Sequence, residues 1–253
     1  MRNTFFIDIE TLPDLRPGAR ESFIETAKTD VKPPSNYNKD QFAADLGMTD
    51  ANEIKFTAKD KLASLWCERF GAENAESQGD EAWRKTSFDA SRGTLFIVGI
   101  AFEDSDPVAL YAAAGGPPDE RQILAWLSEY IDSHARPSGK NPPKFVGHNH
   151  IGFDLRFLLQ RSMILGVQPN PDFPVNPNAW DPRVYDTMLE WAGRGNRVRL
   201  DDLCRALGLE GKDGIDGSMV YDYWAQGRID DLLEYCKHDV LITRDVYRRM
   251  TFQ

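Results

Sequence analysis

Apolar residues open the chain as Phe5-Phe6-Ile7 and then alternate with acids as Asp8-Ile9-Glu10, before Thr11-Leu12-Pro13 stops the run. Residues 4–9 therefore read as a buried strand, and because residues i and i+2 of a strand share a face, Asp8 and Glu10 project together. From 13 to 90 the pattern breaks. Pro17, Pro33 and Pro34 and a polar stretch over 35–38 precede segments rich in Lys, Glu, Asp and Ala. Short helices are expected over 39–46 and 58–70, the second with an apolar face of Leu62, Leu65, Trp66 and Phe70. The apolar content here looks too thin for a core. Residues 13–90 are thus expected to form a partly helical insertion after the first strand, either covering a site or decorating the surface.

Residues 94–102 are almost continuously apolar, as in a strand covered on both faces. Asp104-Ser105-Asp106 reads as the turn into a second strand over 107–111. A helix is expected from Pro117-Pro118-Asp119-Glu120, with Ile123, Leu124, Trp126, Leu127, Tyr130 and Ile131 as its buried stripe. A loop at Pro137-Ser138-Gly139 follows. A short strand over 144–149 then runs into a helix turning Phe153, Phe157, Leu158 and Ile164 inward. A Pro- and Asn-rich loop over 169–182 precedes a final short strand and helix start over 184–188. A small helix over 200–207, capped by Asp201 or Asp202, a loop over 211–217 and a final helix over 230–250 complete the chain. Alternating strands and helices with a helical last third predict an α/β fold around a mixed sheet of about five strands.

A length of 253 residues suits one domain spanning 1–253 with that insertion. A net charge of −10 argues against binding duplex through a broad basic surface, yet leaves room for a nucleic-acid enzyme with bound metals or a local basic patch. Cys67, Cys204 and Cys236 are scattered and odd in number, which reads as reduced, mostly buried thiols. No run is long and apolar enough for a membrane helix. Arg2 is followed at once by the acidic strand rather than a signal-peptide core, so a cytoplasmic protein without membrane contact is expected.

Two adjacent carboxylates raise each other's pKa and call for a compensating charge, for which a hard divalent cation is the natural choice. The alternative is a pair of acids solvated at a strand end. Two further acids weigh on the choice. Asp154 lies in the first turn of a helix leaving a strand, where ligands of α/β folds collect. Asp239 sits among Leu232, Leu233, Val240 and Leu241, and is at i+4 from Tyr235, on the same helical face.

These residues resemble a known family. Asp8-x-Glu10 on the first strand, Asn149 with Phe153-Asp154 at a helix start, and Tyr235-x-x-x-Asp239 near the C-terminus are similar to the three motifs of the DEDD superfamily of 3′→5′ exonucleases, in its tyrosine-bearing DEDDy branch. The likeness is greatest to predicted exonucleases related to the proofreading domain of family-B DNA polymerases. Lys32-Pro33-Pro34-Ser35-Asn36-Tyr37 and Asp216-Gly217 add to it. The resemblance implies an RNase H-like (DnaQ-like) fold and two divalent cations, Mg²⁺ or Mn²⁺. Asp8 would bridge the two, Glu10 and Asp239 would hold the ion that activates water, and Asp154 would hold the other. It implies that Tyr235 orients the water. A phenol with a pKa of about 10 is a poor base at neutral pH. The implied activity is release of nucleoside 5′-monophosphates from single-stranded DNA 3′ ends, in replication or repair and alongside a protein partner from those processes. An exoribonuclease of the same fold and a non-cleaving nucleic-acid binding module are the alternatives.

Substrate contacts are assigned to Thr11, Asn149, Phe153, Arg194, Arg197 and Arg199. Each has a second reading. Asn149 would otherwise cap the helix holding Asp154, Phe153 would be core, and the three arginines would be a solvated loop. Arg156 and Arg161 are further phosphate candidates. His148 and His150 are structural or face substrate, His238 is exposed or supports the site from behind, and Asp186 supports the site or caps a helix.

Overall fold

The computed structural model describes residues 3–113, 115–135, 142–211 and 214–253. The loop expected at Pro137-Ser138-Gly139 lies outside the described residues, as do Lys212 and Asp213 of the loop expected over 211–217. In chain order the elements are β1 (Thr4–Leu12), α1 (Ala19–Thr29), α2 (Lys39–Leu46), α3 (Ala51–Phe56), α4 (Lys59–Arg84), β2 (Thr94–Phe102), β3 (Val108–Leu110), α5 (Glu120–His134), β4 (Lys144–Gly147), α6 (Asp154–Leu165), β5 (Val184–Asp186), α7 (Thr187–Ala192), α8 (Leu200–Leu207), α9 (Val220–Ala225) and α10 (Ile229–Met250). The chain divides into two compact units, one of Met1–Pro13 with Ser87–Gln253 and one of Asp14–Thr86.

The first unit holds a five-stranded mixed sheet in the order β3-β2-β1-β4-β5. Its central strand β1 runs antiparallel to β2 and parallel to β4. The period-two alternation of β1 sorts its side chains. Phe5, Ile7 and Ile9 enter a core with Ile123, Leu127 and Ile131 of α5 and Leu155, Phe157 and Leu158 of α6. Phe6 packs on the other side with Val240 and Tyr247 of α10. Asp8 and Glu10 share parity with Phe6 and so face α10.

Two local features shape the end of β1. The register with β2 shifts between Glu10 and Thr11, where Phe96 is the extra residue of β2. Such bulges re-aim side chains beside functional sites. Opposite Asp8 stands Gly99. A Cβ there would lie 2.7 Å from the sulfur of Cys236 and 2.9 Å from a methyl of Val240. Glycine at this position lets α10 approach the sheet closely enough to bring its polar residues beside Asp8.

The helices also correct three expectations. Trp126 on α5 is 37% exposed and Ile164 on α6 is 53% exposed, since each lies off the face that meets the sheet. α8 follows Arg199 with no side-chain cap, and Asp201 and Asp202 occupy its first turn instead. Arg161 is no phosphate ligand. It is buried, and its guanidinium donates to Glu120 at 2.6 and 2.8 Å and to the Ala90 carbonyl at 2.7 Å. Glu120 also accepts from the N–H of Leu95, so this pair ties α6 and α5 to the start of β2.

The second unit is helical. α4 extends far beyond the expected 58–70, and buries Leu62, Trp66, Gly71, Ala75, Gly79 and Trp83 along one side. Contrary to the expected lack of a core, Phe42, Leu62 and Trp66 form a buried cluster backed by Tyr37, Leu46 and Phe70. Leu65 points outward.

Candidate active site

Beyond Phe6 the pairing of β1 with β4 ends. The chain leaving β4 turns through residues 148–153 into α6, and the first residue of that helix fills the space. The N–H of Ile9, between Asp8 and Glu10, donates to Oδ1 of Asp154 at 3.0 Å. This backbone hydrogen bond ties the acid of α6 to the stretch of β1 between its two acids. From the other side, α10 presents Tyr235, Cys236 and Asp239, all buried. The sulfur of Cys236 stands 3.9 Å from Oδ2 of Asp8, and donor atoms of Asp8, Glu10 and Cys236 lie within 4.8 Å of one another.

The electrostatics follow from this crowding. Glu10, Asp154 and Asp239 are 7%, 4% and 2% exposed, and Asp8 is half-buried. Burial raises the pKa of Asp154 to about 7, opposed by His150 and by the N–H of Ile9. Burial, followed by the charges of Glu10, Asp239 and Asp8 and a hydrogen bond to Asp239, pushes the Tyr235 phenol far above its ordinary value. The Cys236 thiol is raised well above its usual range, first by burial and then by the same acids. The clustered carboxylates of Asp8 and Glu10, with the buried Asp154 and Asp239 on the flanking helices, suit a hard dication with oxygen ligands. Asp8, Glu10, Asp154 and Asp239 are the residues that would hold it.

A pH dependence follows. The unfolded pKa of an aspartate is about 3.9, and that of Asp154 in the fold is about 7. Between these values the native state keeps a proton that the unfolded chain releases. The contribution is full below the unfolded value and is lost as pH rises through the folded one. Without metal, the part of the stability owed to Asp154 should decline from about pH 4 to about pH 7. Mg²⁺ or Mn²⁺ should raise Tm more at about pH 8 than at about pH 5, where proton and metal compete. Calorimetry at both pH values checks this; an equal metal effect would remove Asp154 from the ligand set.

The surrounding positions sort as follows. Asn149 adopts φ 60°, and its side chain does not cap α6, whose N-cap is Phe153 with no side-chain bond. Asn149 lines an open cleft with Asp8, His148, Arg197, Arg199, Asp216, Gly217 and Tyr235. Phe153 is half-buried against Phe157 and Phe88. The hydroxyl of Thr11 donates to the Ser87 carbonyl at 2.9 Å. Arg194 lies elsewhere, over the ring of Trp180.

Asp186 both caps a helix and supports the site. Its carboxylate accepts from Met188 and Leu189 at the start of α7, and from the N–H groups of Asn149 and Ile151 in the turn leading to Asp154. Hydrogen bonding to this carboxylate and the adjacent His150 hold its pKa below the usual range despite its burial. Asp186→Ala would orphan these N–H groups and remove a cap, at about 1–3 kcal/mol for the former and about 1 for the latter. A loss near 3 kcal/mol is expected in denaturant titration, and Asp186→Asn should recover part of it.

Sequence reading gave Cys236 no place beside the site and left His148 as structural or facing substrate. Cys236 was legible only as a buried thiol, although its place next to Tyr235 on the sheet-facing side of α10 is a helical-wheel consequence. His148 is a tether. Its Nε2 donates to the Val198 carbonyl at 2.9 Å, and Nδ1 pairs with the Thr187 hydroxyl at 2.9 Å. No local pattern signals a bond spanning 50 residues.

The sheet order and the flanking helices define an RNase H-like α/β fold of the polymerase-exonuclease kind. A family model described as "Predicted 3'-5' exonuclease related to the exonuclease domain of PolB" matches residues 118–253, more than half of the chain, and the chain belongs to that family. The match covers Asp154, Tyr235 and Asp239, while Asp8 and Glu10 precede it. The chain is also 22% identical over 160 residues to a putative DNA polymerase, 060R, of Frog virus 3 (isolate Goorha), covering 53% of this chain and 15% of that protein. Among solved structures, the family B DNA polymerase of the archaeon Pyrobaculum calidifontis aligns with a TM-score of 0.50 and 19% identity, over 64% of this chain and 22% of that one. The chain therefore spans less than a quarter of either relative. Among the described residues no helix is long and apolar enough to cross a membrane.

Proposed function

We propose that this protein hydrolyses single-stranded DNA from the 3′ end and releases nucleoside 5′-monophosphates, with Asp8, Glu10, Asp154 and Asp239 holding two Mg²⁺ or Mn²⁺ ions. The observation that carries the reading is the bond from Ile9 to Asp154, which gathers acids from β1 and α6 opposite Tyr235 and Asp239 of α10. Bound there, such ions supply an activated water and charge stabilisation for the departing 3′ oxygen.

The chain's own groups do the rest. Tyr235 keeps its proton, since every neighbour raises its pKa. It serves as a hydrogen-bonding post that orients the attacking water and not as a base. Asn149, Arg197 and Arg199 face the strand along the cleft, where the two guanidiniums meet phosphates. Phe153, half-buried, backs the terminal base, and Thr11 fixes the backbone of residue 87 beside the end of β1. DNA is favoured over RNA because both relatives are named as DNA polymerases.

A panel of DNA and RNA strands of one sequence tests the substrate class. The expected result is 5′-mononucleotide release from single-stranded DNA at a rate well above that from RNA. Faster release from RNA would transfer the reading to an exoribonuclease.

A further inference from the structure

The loop between α7 and α8 carries Arg194, Arg197 and Arg199, all exposed. None of the three forms an ion pair among the described residues, whereas Arg161, Arg183 and Arg228 do. In a chain of net charge −10, three unpaired guanidiniums on one short loop mark a place for an external anion. Arg197 and Arg199 line the cleft with Asp8 and Tyr235. Arg194 leads away from it, with its guanidinium 5.4 Å from the centroid of the Trp180 ring. That ring is 79% exposed. Its backbone is set by the bond from the Trp180 N–H to Asn178 Oδ1 at 2.8 Å. The loop is anchored where it matters, because His148 holds the carbonyl of Val198, between the two cleft arginines.

An extended strand advances at most about 3.6 Å per residue, so Arg194 and Arg197 are at most about 11 Å apart along the backbone. We propose that Arg197, Arg199, Arg194 and Trp180 form a track for the single strand upstream of the scissile bond. Its phosphates run along the arginines and one base stacks on Trp180. Alternating cationic groups and an exposed aromatic ring are the means by which proteins hold single strands without reading their sequence. The guanidinium over the indole keeps the ring in place and adds its own attraction to a base. The track rests on the nuclease reading for its direction and on its own residues for its existence.

The test compares wild type, Trp180→Ala, Trp180→Phe and Arg194→Ala on two substrates. The p-nitrophenyl ester of thymidine 5′-monophosphate reaches only the acidic site; poly(dT) also reaches the track. Rates on the ester should be the same for wild type and the two Trp180 variants. On poly(dT), KM should rise about tenfold in Trp180→Ala and be largely restored in Trp180→Phe. Arg194→Ala should also raise KM and reduce the dependence of log KM on log salt by about 0.7, the value for one single-strand phosphate contact. An unchanged KM on poly(dT) in both alanine variants overturns the track. Anisotropy of labelled poly(dT) in EDTA makes the same comparison without hydrolysis. An inert wild type would thus sink the nuclease reading, while tighter binding by wild type than by Trp180→Ala would still uphold the track, and equal binding would overturn it.

Discussion

Asp8→Ala is expected to abolish hydrolysis and leave the fold intact, and Asp239→Ala is expected to do the same. Asp8 stands on the central strand with Glu10, beside the backbone group that holds Asp154. Removing its carboxylate would take away one ligand of the proposed ions. Loss of a single preorganised charge-stabilising group costs about 10²–10³ in kcat. Loss of an ion together with its activated water should exceed that. Stability should move the other way in Asp8→Ala, because Asp8 is an acid crowded by Glu10. Without metal, Tm of Asp8→Ala should equal or exceed that of wild type, and the rise in Tm on adding Mn²⁺ should shrink in both variants. Calorimetry with and without Mn²⁺ beside a hydrolysis assay reads both effects. Normal turnover in either variant would end the metal-site account.

Tyr235→Phe removes one oxygen from a buried ring and keeps the ring's packing. The hydroxyl is bonded to Asp239 and surrounded by Glu10 and Asp8, so it faces the position a water would occupy among these acids. Misplacing a reacting group by about 1 Å costs about a hundredfold. A fall in kcat of that size with KM for poly(dT) little changed is the result expected of the proposed water-orienting role. The pH profile discriminates roles. A general base would bring its own ionisation into kcat, whereas an orienting hydroxyl that never ionises leaves the profile of the remaining activity the same in Tyr235→Phe. An unchanged kcat would remove Tyr235 from the mechanism.

What was legible in the sequence was what short-range periodicity controls. The i and i+2 acids of β1, the continuous apolar run of β2 and the i and i+4 pair on α10 each follow from the geometry of one element. The structure assembles these elements as the α/β sheet that the pattern implied. What was not legible depends on partners distant in sequence. The second half of α4 looked polar because it packs through Gly71, Ala75 and Gly79, residues with no hydrophobic signal, against α1 and Val31 just beyond it. At Gly79 a Cβ would lie 2.4 Å from the backbone of Ile24, so smallness is itself the packing feature. Arg161 looked like a phosphate ligand because its helix carries Asp154, yet its carboxylate partner lies 41 residues away. Asn149 looked like a cap because it precedes a helix, while its positive φ and its bond to Asp186 place it in the turn.

Hydrolysis of a 5′-labelled single-stranded DNA, run with Mg²⁺, with Mn²⁺ and with EDTA for wild type and Asp8→Ala side by side, tests the central claim most directly. The account predicts a ladder that shortens from the 3′ end with either metal in wild type only, and intact strand in EDTA and in every Asp8→Ala lane. Intact strand in every wild-type lane, or a ladder that persists in EDTA or in Asp8→Ala, would contradict it.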